Sequence, residues 1–198
     1  MFKEARESVI VKYSRHWELL DPVHRVEHFD DVFNTAVALV NRTGMAVDLR
    51  EVFVVAYFHD LFTWSRSNHH LLAETFIRTT SCPIVTSLLE TAEAIDRVAL
   101  ACRESHGSWT DSYSSDLSRL MNAAIRGAPR SPKSLLDTAI AEVRARCPAQ
   151  ASDADIRALS VAILKVDYGR GADIRVPNFH LEFFAQEYEA FWVEIDAL

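Results

Sequence analysis

No proline or glycine interrupts any of the apolar-periodic stretches of this chain. Pro22, Pro83, Pro129, Pro132, Pro148 and Pro177, with Gly44, Gly107, Gly127, Gly169 and Gly171, all fall between them. Proline lacks an N–H, and glycine costs a helix interior about 1 kcal/mol relative to alanine, so residues of both kinds collect at helix borders. Asp21-Pro22 and Ser131-Pro132 each read as an N-cap followed by proline at the first helical position, where the missing N–H is no loss. Between these marks the apolar residues recur at helical spacing. Phe29, Val32, Phe33, Ala36, Val37 and Val40 form one stripe, and Leu181, Phe184, Tyr188, Phe191, Trp192 and Ile195 form another. Leu135, Leu136, Ala139, Ile140 and Val143 mark a third helix. Val52–Phe58 and Val161–Leu164 are apolar around most of the circumference, as central helices are. No strand alternation stands out. The pattern predicts an all-α chain of roughly nine helices, at about 3–19, 22–43, 48–64, 68–80, 83–105, 114–127, 132–147, 153–168 and 178–197.

At 198 residues and 49% apolar content the chain can bury one sizeable core, and a single domain over 1–198 is the expectation. The longest apolar run is seven residues, too short for a bilayer, and the charged opening Met1-Phe2-Lys3-Glu4-Ala5-Arg6 is unlike a signal peptide. The expectation is therefore a cytoplasmic protein with no membrane partner. Cys82, Cys102 and Cys147 are odd in number and lack Cys-x-x-Cys spacing, which argues for reduced core thiols over disulfides or a thiolate zinc knot. A net charge of −7 disfavours a nucleic-acid polymer as partner, because that binding draws on clustered Lys and Arg. A small phosphorylated ligand needs only a local cationic pocket, which a metal can supply. A homo-oligomer is left open.

Chemistry concentrates where the most apolar helix ends. His59-Asp60 directly follows Val52–Phe58, 31 residues after His28 in His24-Arg25-Val26-Glu27-His28. His24 and His28 are four apart and stack on one helix face, and His28 is four before Val32, at the border of the buried side. An imidazole and a carboxylate at the end of such a helix are costly to desolvate, and a shared cation offsets that cost. Two nitrogens and a carboxylate from two helices suit a first-row divalent metal if another carboxylate joins them. Taken alone, a His-Asp pair at a helix end is more often a simple hydrogen-bonded terminus; the context favours the metal.

With these motifs the chain resembles the HD-domain superfamily of metal-dependent phosphohydrolases. His24-Arg25-Val26-Glu27-His28-Phe29-Asp30-Asp31-Val32 is similar to a helix that, in related phosphodiesterases, carries a general-acid histidine and then a metal ligand. Phe58-His59-Asp60-Leu61-Phe62 resembles the central motif. Asn68-His69-His70-Leu71-Leu72-Ala73 resembles an Asn-Glu-x-x-Ser-Ala element of a group of small predicted members. Glu104-Ser105-His106 and Ser115-Asp116-Leu117-Ser118 stand where that group has Thr-x-x-His and an Asp-Leu helix.

The resemblance implies one divalent ion, of Mn, Co, Fe, Ni or Zn, on His28, His59, Asp60 and Asp116, with Asp111 and Asp167 as alternatives for the last ligand. It implies hydrolysis of a phosphoester or phosphoanhydride, with a nucleotide as the expected substrate and His24 or His106 donating a proton to the leaving oxygen. Arg25, Arg66, Arg103 and His70 are the expected phosphate contacts, and Trp64 a possible wall for a base. His69, His70 and His106 also raise a two-metal alternative. Two positions depart from the pattern: Thr63 replaces an acidic residue found in relatives acting on deoxynucleoside monophosphates, and His69 replaces a Glu. A non-catalytic scaffold that binds a nucleotide or partner, and a dinuclear-iron oxygenase, are the competing readings.

Overall fold

The computed structural model describes residues 2–17, 26–65, 68–105, 113–129, 131–147, 151–170 and 178–198. Among these every regular element is a helix, as the punctuation predicts. The chain groups into two compact units, Met1–Gly127 and Ala128–Leu198. The first contains α1 (Phe2–Lys12), α2 (Ser14–Trp17), α3 (Val26–Thr43), α4 (Leu49–Phe58), α5 (His69–Thr79), α6 (Pro83–Leu88), α7 (Ala92–Glu104) and α8 (Asp116–Arg126). The second contains α9 (Pro132–Arg146), α10 (Asp153–Tyr168), α11 (Asn178–Phe183) and α12 (Ala185–Ala197). No described helix is long and apolar enough to cross a membrane.

In the first unit α4 is the central rod. All residues from Glu51 to Phe58 are buried, and α3, α6, α7 and α8 pack around them. An all-round apolar helix has no solvent face to offer, so burial on every side is its stable arrangement. Its one buried charge, Glu51, is held by a two-pronged contact from Arg97 on α7, at 2.5 and 3.1 Å. Asp48 starts the helix by accepting a hydrogen bond from the Arg50 backbone N–H. Side-chain oxygens of Thr91 and Ser115 cap α7 and α8 in the same way. Gly44 and Gly127, which follow α3 and α8, adopt positive φ (70° and 69°), a turn that side chains with a Cβ resist.

The helices are shorter and more numerous than the periodicity predicts. The expected helix at 3–19 breaks at Tyr13 into α1 and α2. The expected helix at 83–105 breaks at Leu89, whose backbone is extended, because the Thr91 hydroxyl accepts from Ala94 N–H and opens a new helix. The segment at 178–197 breaks at Phe184. The α4 helix stops at Phe58 rather than near 64. Beyond it Leu61 N–H donates to Phe58 O and Thr63 N–H to Asp60 O, so the chain continues in tighter turns. In the second unit α9, α10 and α12 pack together, around residues including Leu136, Ile156, Leu164, Tyr188, Phe191 and Ile195. The Tyr188 hydroxyl faces Nδ1 of buried His180, and burial pushes its pKa up to about 12.

Candidate metal centre

The point where α4 gives way to tight turns lies beside the first turns of α3. Ligand atoms of His28, His59 and Asp60 all lie within 4.8 Å of one another there. His59 is wholly buried and Asp60 is 1% exposed, while His28 is 22% exposed and opens the trio to one side. Asp60 Oδ2 faces Nε2 of His59 at 3.2 Å and Nε2 of His28 at 3.7 Å.

The backbone sets the chemistry of His59. Its Nδ1 stands 3.1 Å from Val55 O and 3.0 Å from Ala56 O, one turn back on α4. Carbonyl oxygens only accept, so Nδ1 carries a proton, and in the neutral ring the lone pair is then on Nε2, the atom turned toward Asp60. This is how proteins commonly orient a metal-binding imidazole. Two imidazoles and a buried carboxylate whose ligand atoms lie within 4.8 Å of one another are a group that could hold a metal ion.

A second network holds the two helices in register. Asp30, two residues after His28, receives two hydrogen bonds from Arg6 of α1, at 2.5 and 2.6 Å, and one from the hydroxyl of Tyr57, two residues before His59. Burial opposes the charge on Asp30, but the Arg6 and Tyr57 hydrogen bonds prevail and hold its carboxyl below the usual range. Burial, and then the Asp30 contact, raises the Tyr57 phenol, so it stays a donor. Cys102 of α7 is fully buried, and burial together with the charges of Asp60 and Glu74 pushes its thiol up. It is a neutral core thiol, as its sequence spacing suggests.

Not every expected site residue joins this group. Asp116 lies outside it: its side chain is 63% exposed and faces Arg119 at 3.6 Å. As the first residue of α8 it sits off the face that buries Leu117, Leu120, Met121 and Ala124, where its charge complements the helix N-terminus. The expected fourth ligand is therefore not brought to the trio. Arg103 is exposed and faces Glu74 of α5 at 3.5 Å. His70 is half-buried and meets the ring of His69 edge-on. Asp167 is exposed on α10 of the second unit. His24, Arg25, Arg66, His106 and Asp111 lie outside the described residues.

The residue that does approach is His69, the first of α5. Its Nε2 stands 3.6 Å from Asp60 Oδ1. Trp64 is 57% exposed, with its ring edge-on to Phe62, on the turns that follow Asp60. Sequence reasoning missed Arg6, Asp30 and Tyr57 as partners. The available signal was a phenol inside an otherwise aliphatic and phenylalanine-rich helix, since a buried tyrosine hydroxyl needs an acceptor. Compared with models of known protein families, with curated proteins and with solved structures, the chain matches none of them.

Proposed function

We propose that the chain is a metal-dependent phosphohydrolase of the HD type, acting on a small phosphorylated substrate, with a nucleotide as the leading class. The observation that carries the reading is the convergence of His28, His59 and Asp60 at the junction of α3 and α4. A pinned His59 tautomer and a carboxylate removed from water support it.

In this reading His28 and His59 hold the cation through Nε2 and Asp60 through its carboxylate. When bound, a cation there polarises a phosphoryl oxygen and activates water for attack on phosphorus. The α4 core around His59 keeps one side of the centre dry, while partly exposed His28 leaves a side on which substrate can sit. As the water oxygen bonds to phosphorus and the bond to the leaving oxygen breaks, that oxygen needs a proton. His24 and His106 are the proposed donors, a role worth about 10²–10⁴-fold in rate.

The test is hydrolysis of nucleoside mono-, di- and triphosphates and cyclic dinucleotides by protein reconstituted separately with Mn, Co, Ni, Fe or Zn, beside Asp60→Ala. Metal-dependent release of phosphate or nucleotide, lost in the variant while its circular dichroism stays helical, is the expected result. Wild-type turnover by reconstituted Asp60→Ala would sink the assignment. Failure of the wild-type protein to take up metal would point to the scaffold reading, and two irons per chain to an oxygenase.

A further inference from the structure

Helix α10 carries apolar side chains on two faces. One face, with Ile156, Ser160 and Leu164, is buried, and the helix packs against α9 and α12 of its unit. On another face Leu159, Ala162, Ile163 and Val166 recur at i, i+3, i+4 and i+7 and are all exposed: Leu159 by 47%, Ile163 by 38% and Val166 by 74%. Single exposed apolar residues are ordinary on a protein surface. A stripe two turns long has the form of a seam between paired helices.

The stripe is symmetric along the helix. About the midpoint between Ala162 and Ile163, Leu159 mirrors Val166, and four residues further out Asp155 mirrors Arg170, which follows the end of α10 by two residues. Two copies of α10 laid antiparallel across a twofold axis set Leu159 of each on Val166 of the other, and Asp155 of each toward Arg170 of the other. A parallel pair sets Asp155 against Asp155 and Arg170 against Arg170. By helical spacing Arg157 falls on the side away from the stripe, and Lys165 and Asp167 flank it on opposite edges, level with Ser160 and Ala158 of the other copy, so the antiparallel pairing opposes no like charges. Within the chain Asp155 accepts from the Ser152 hydroxyl at 2.6 Å and Arg170 donates to Glu189 at 2.9 Å. A guanidinium has five N–H donors, and the Glu189 contact uses one of them.

We propose that this face of α10 is a homodimer interface, occupied by the same face of a second copy running antiparallel. The oppositely charged ends identify the occupant, because the stripe complements itself in that one direction. The proposal is independent of the metal centre, which belongs to the other unit.

Sedimentation equilibrium of the full chain from low to high micromolar concentration, with circular dichroism on the same samples, tests this. Wild-type protein is expected to show a monomer–dimer equilibrium. Val166→Asp places a charge on each side of the seam and is expected to weaken association about hundredfold or more, with an unchanged helical spectrum. Val166→Thr, closer in shape, gives the same comparison with a smaller loss should the aspartate variant fail to fold. Asp155→Lys and Arg170→Glu are each expected to weaken association about fivefold or more, since each then opposes like charges, and a mixture of the two is expected to pair as tightly as wild type. A chain that stays monomeric throughout would overturn the proposal, as would a dimer that the Val166 variants leave intact. Single charge variants as tight as wild type, or a mixture no tighter than either alone, would overturn the antiparallel pairing on which it rests.

Discussion

A carboxylate that is 1% exposed has to be compensated, and Asp60 is the residue on which the centre turns. Its importance, with that of His59, was legible because ionisable residues at the end of an all-apolar helix are out of place without a partner. His28 was legible from its helical offset to Val32. Asp116 was misleading for a physical reason: a carboxylate that opens a helix as ligand and one that merely complements the helix N-terminus have the same sequence context, and only exposure separates them. Of the Arg6–Asp30–Tyr57 network only the need of the Tyr57 hydroxyl for an acceptor was legible; Arg6 and Asp30 are 24 residues apart, and no spacing pairs them. That network yields a residue-scale prediction. Tyr57→Phe removes the hydroxyl donated to Asp30 and should lower unfolding free energy by about 1–2 kcal/mol in denaturant titrations. Because Tyr57 and Asp30 flank His59 and His28 in sequence, metal affinity should fall as well, by about tenfold or more. Unchanged stability and unchanged Co(II) affinity would deny the network that positioning role.

Among elements, α4 was read most nearly right and its end least so. Burial on every side follows from composition, whereas the stop at Phe58 depends on the tight turns that present His59 and Asp60, which periodicity does not encode. The split between α6 and α7 was hidden likewise, because Thr91 reads equally well as a helix residue and as a cap. Asp48 provides the element-scale prediction. Asp48→Ala deletes the N-cap of α4 and should cost about 1 kcal/mol at neutral pH. Hydrogen bonds from the Arg50 side chain, opposed by partial burial, hold the Asp48 carboxyl below its ordinary value. A carboxylate depressed in the folded state contributes stability that is full above its unfolded pKa, about 3.9, and lost as pH falls through the folded value. The wild-type advantage over Asp48→Ala in thermal melts should therefore be constant near neutrality and shrink below about pH 4. A gap that widens in acid would contradict this assignment.

For the molecule as a whole the helical class was plain in the sequence, because the apolar residues recur at helical spacing and no proline or glycine falls inside those stretches. The grouping into two compact units was not, since the joint near Gly127 and Pro129 looks like any other helix border. The trio of His28, His59 and Asp60 belongs entirely to the unit Met1–Gly127. An ion that binds the folded site and not the unfolded chain stabilises by about 2.7 kcal/mol at a hundredfold excess over Kd. Calorimetry should accordingly find a metal-dependent rise in the unfolding transition that includes this unit, absent in Asp60→Ala. An equal rise in the variant would assign the effect to ions bound elsewhere.

Everything functional proposed for this chain depends on a cation at the junction of α3 and α4. Anomalous diffraction from crystals of the Co(II)-loaded protein, collected on both sides of the cobalt edge, tests that claim most directly. The account predicts a strong peak per chain at about 2.0–2.3 Å from Nε2 of His28, Nε2 of His59 and the Asp60 carboxylate. A map with no peak there, or with cobalt only on surface carboxylates, would contradict it.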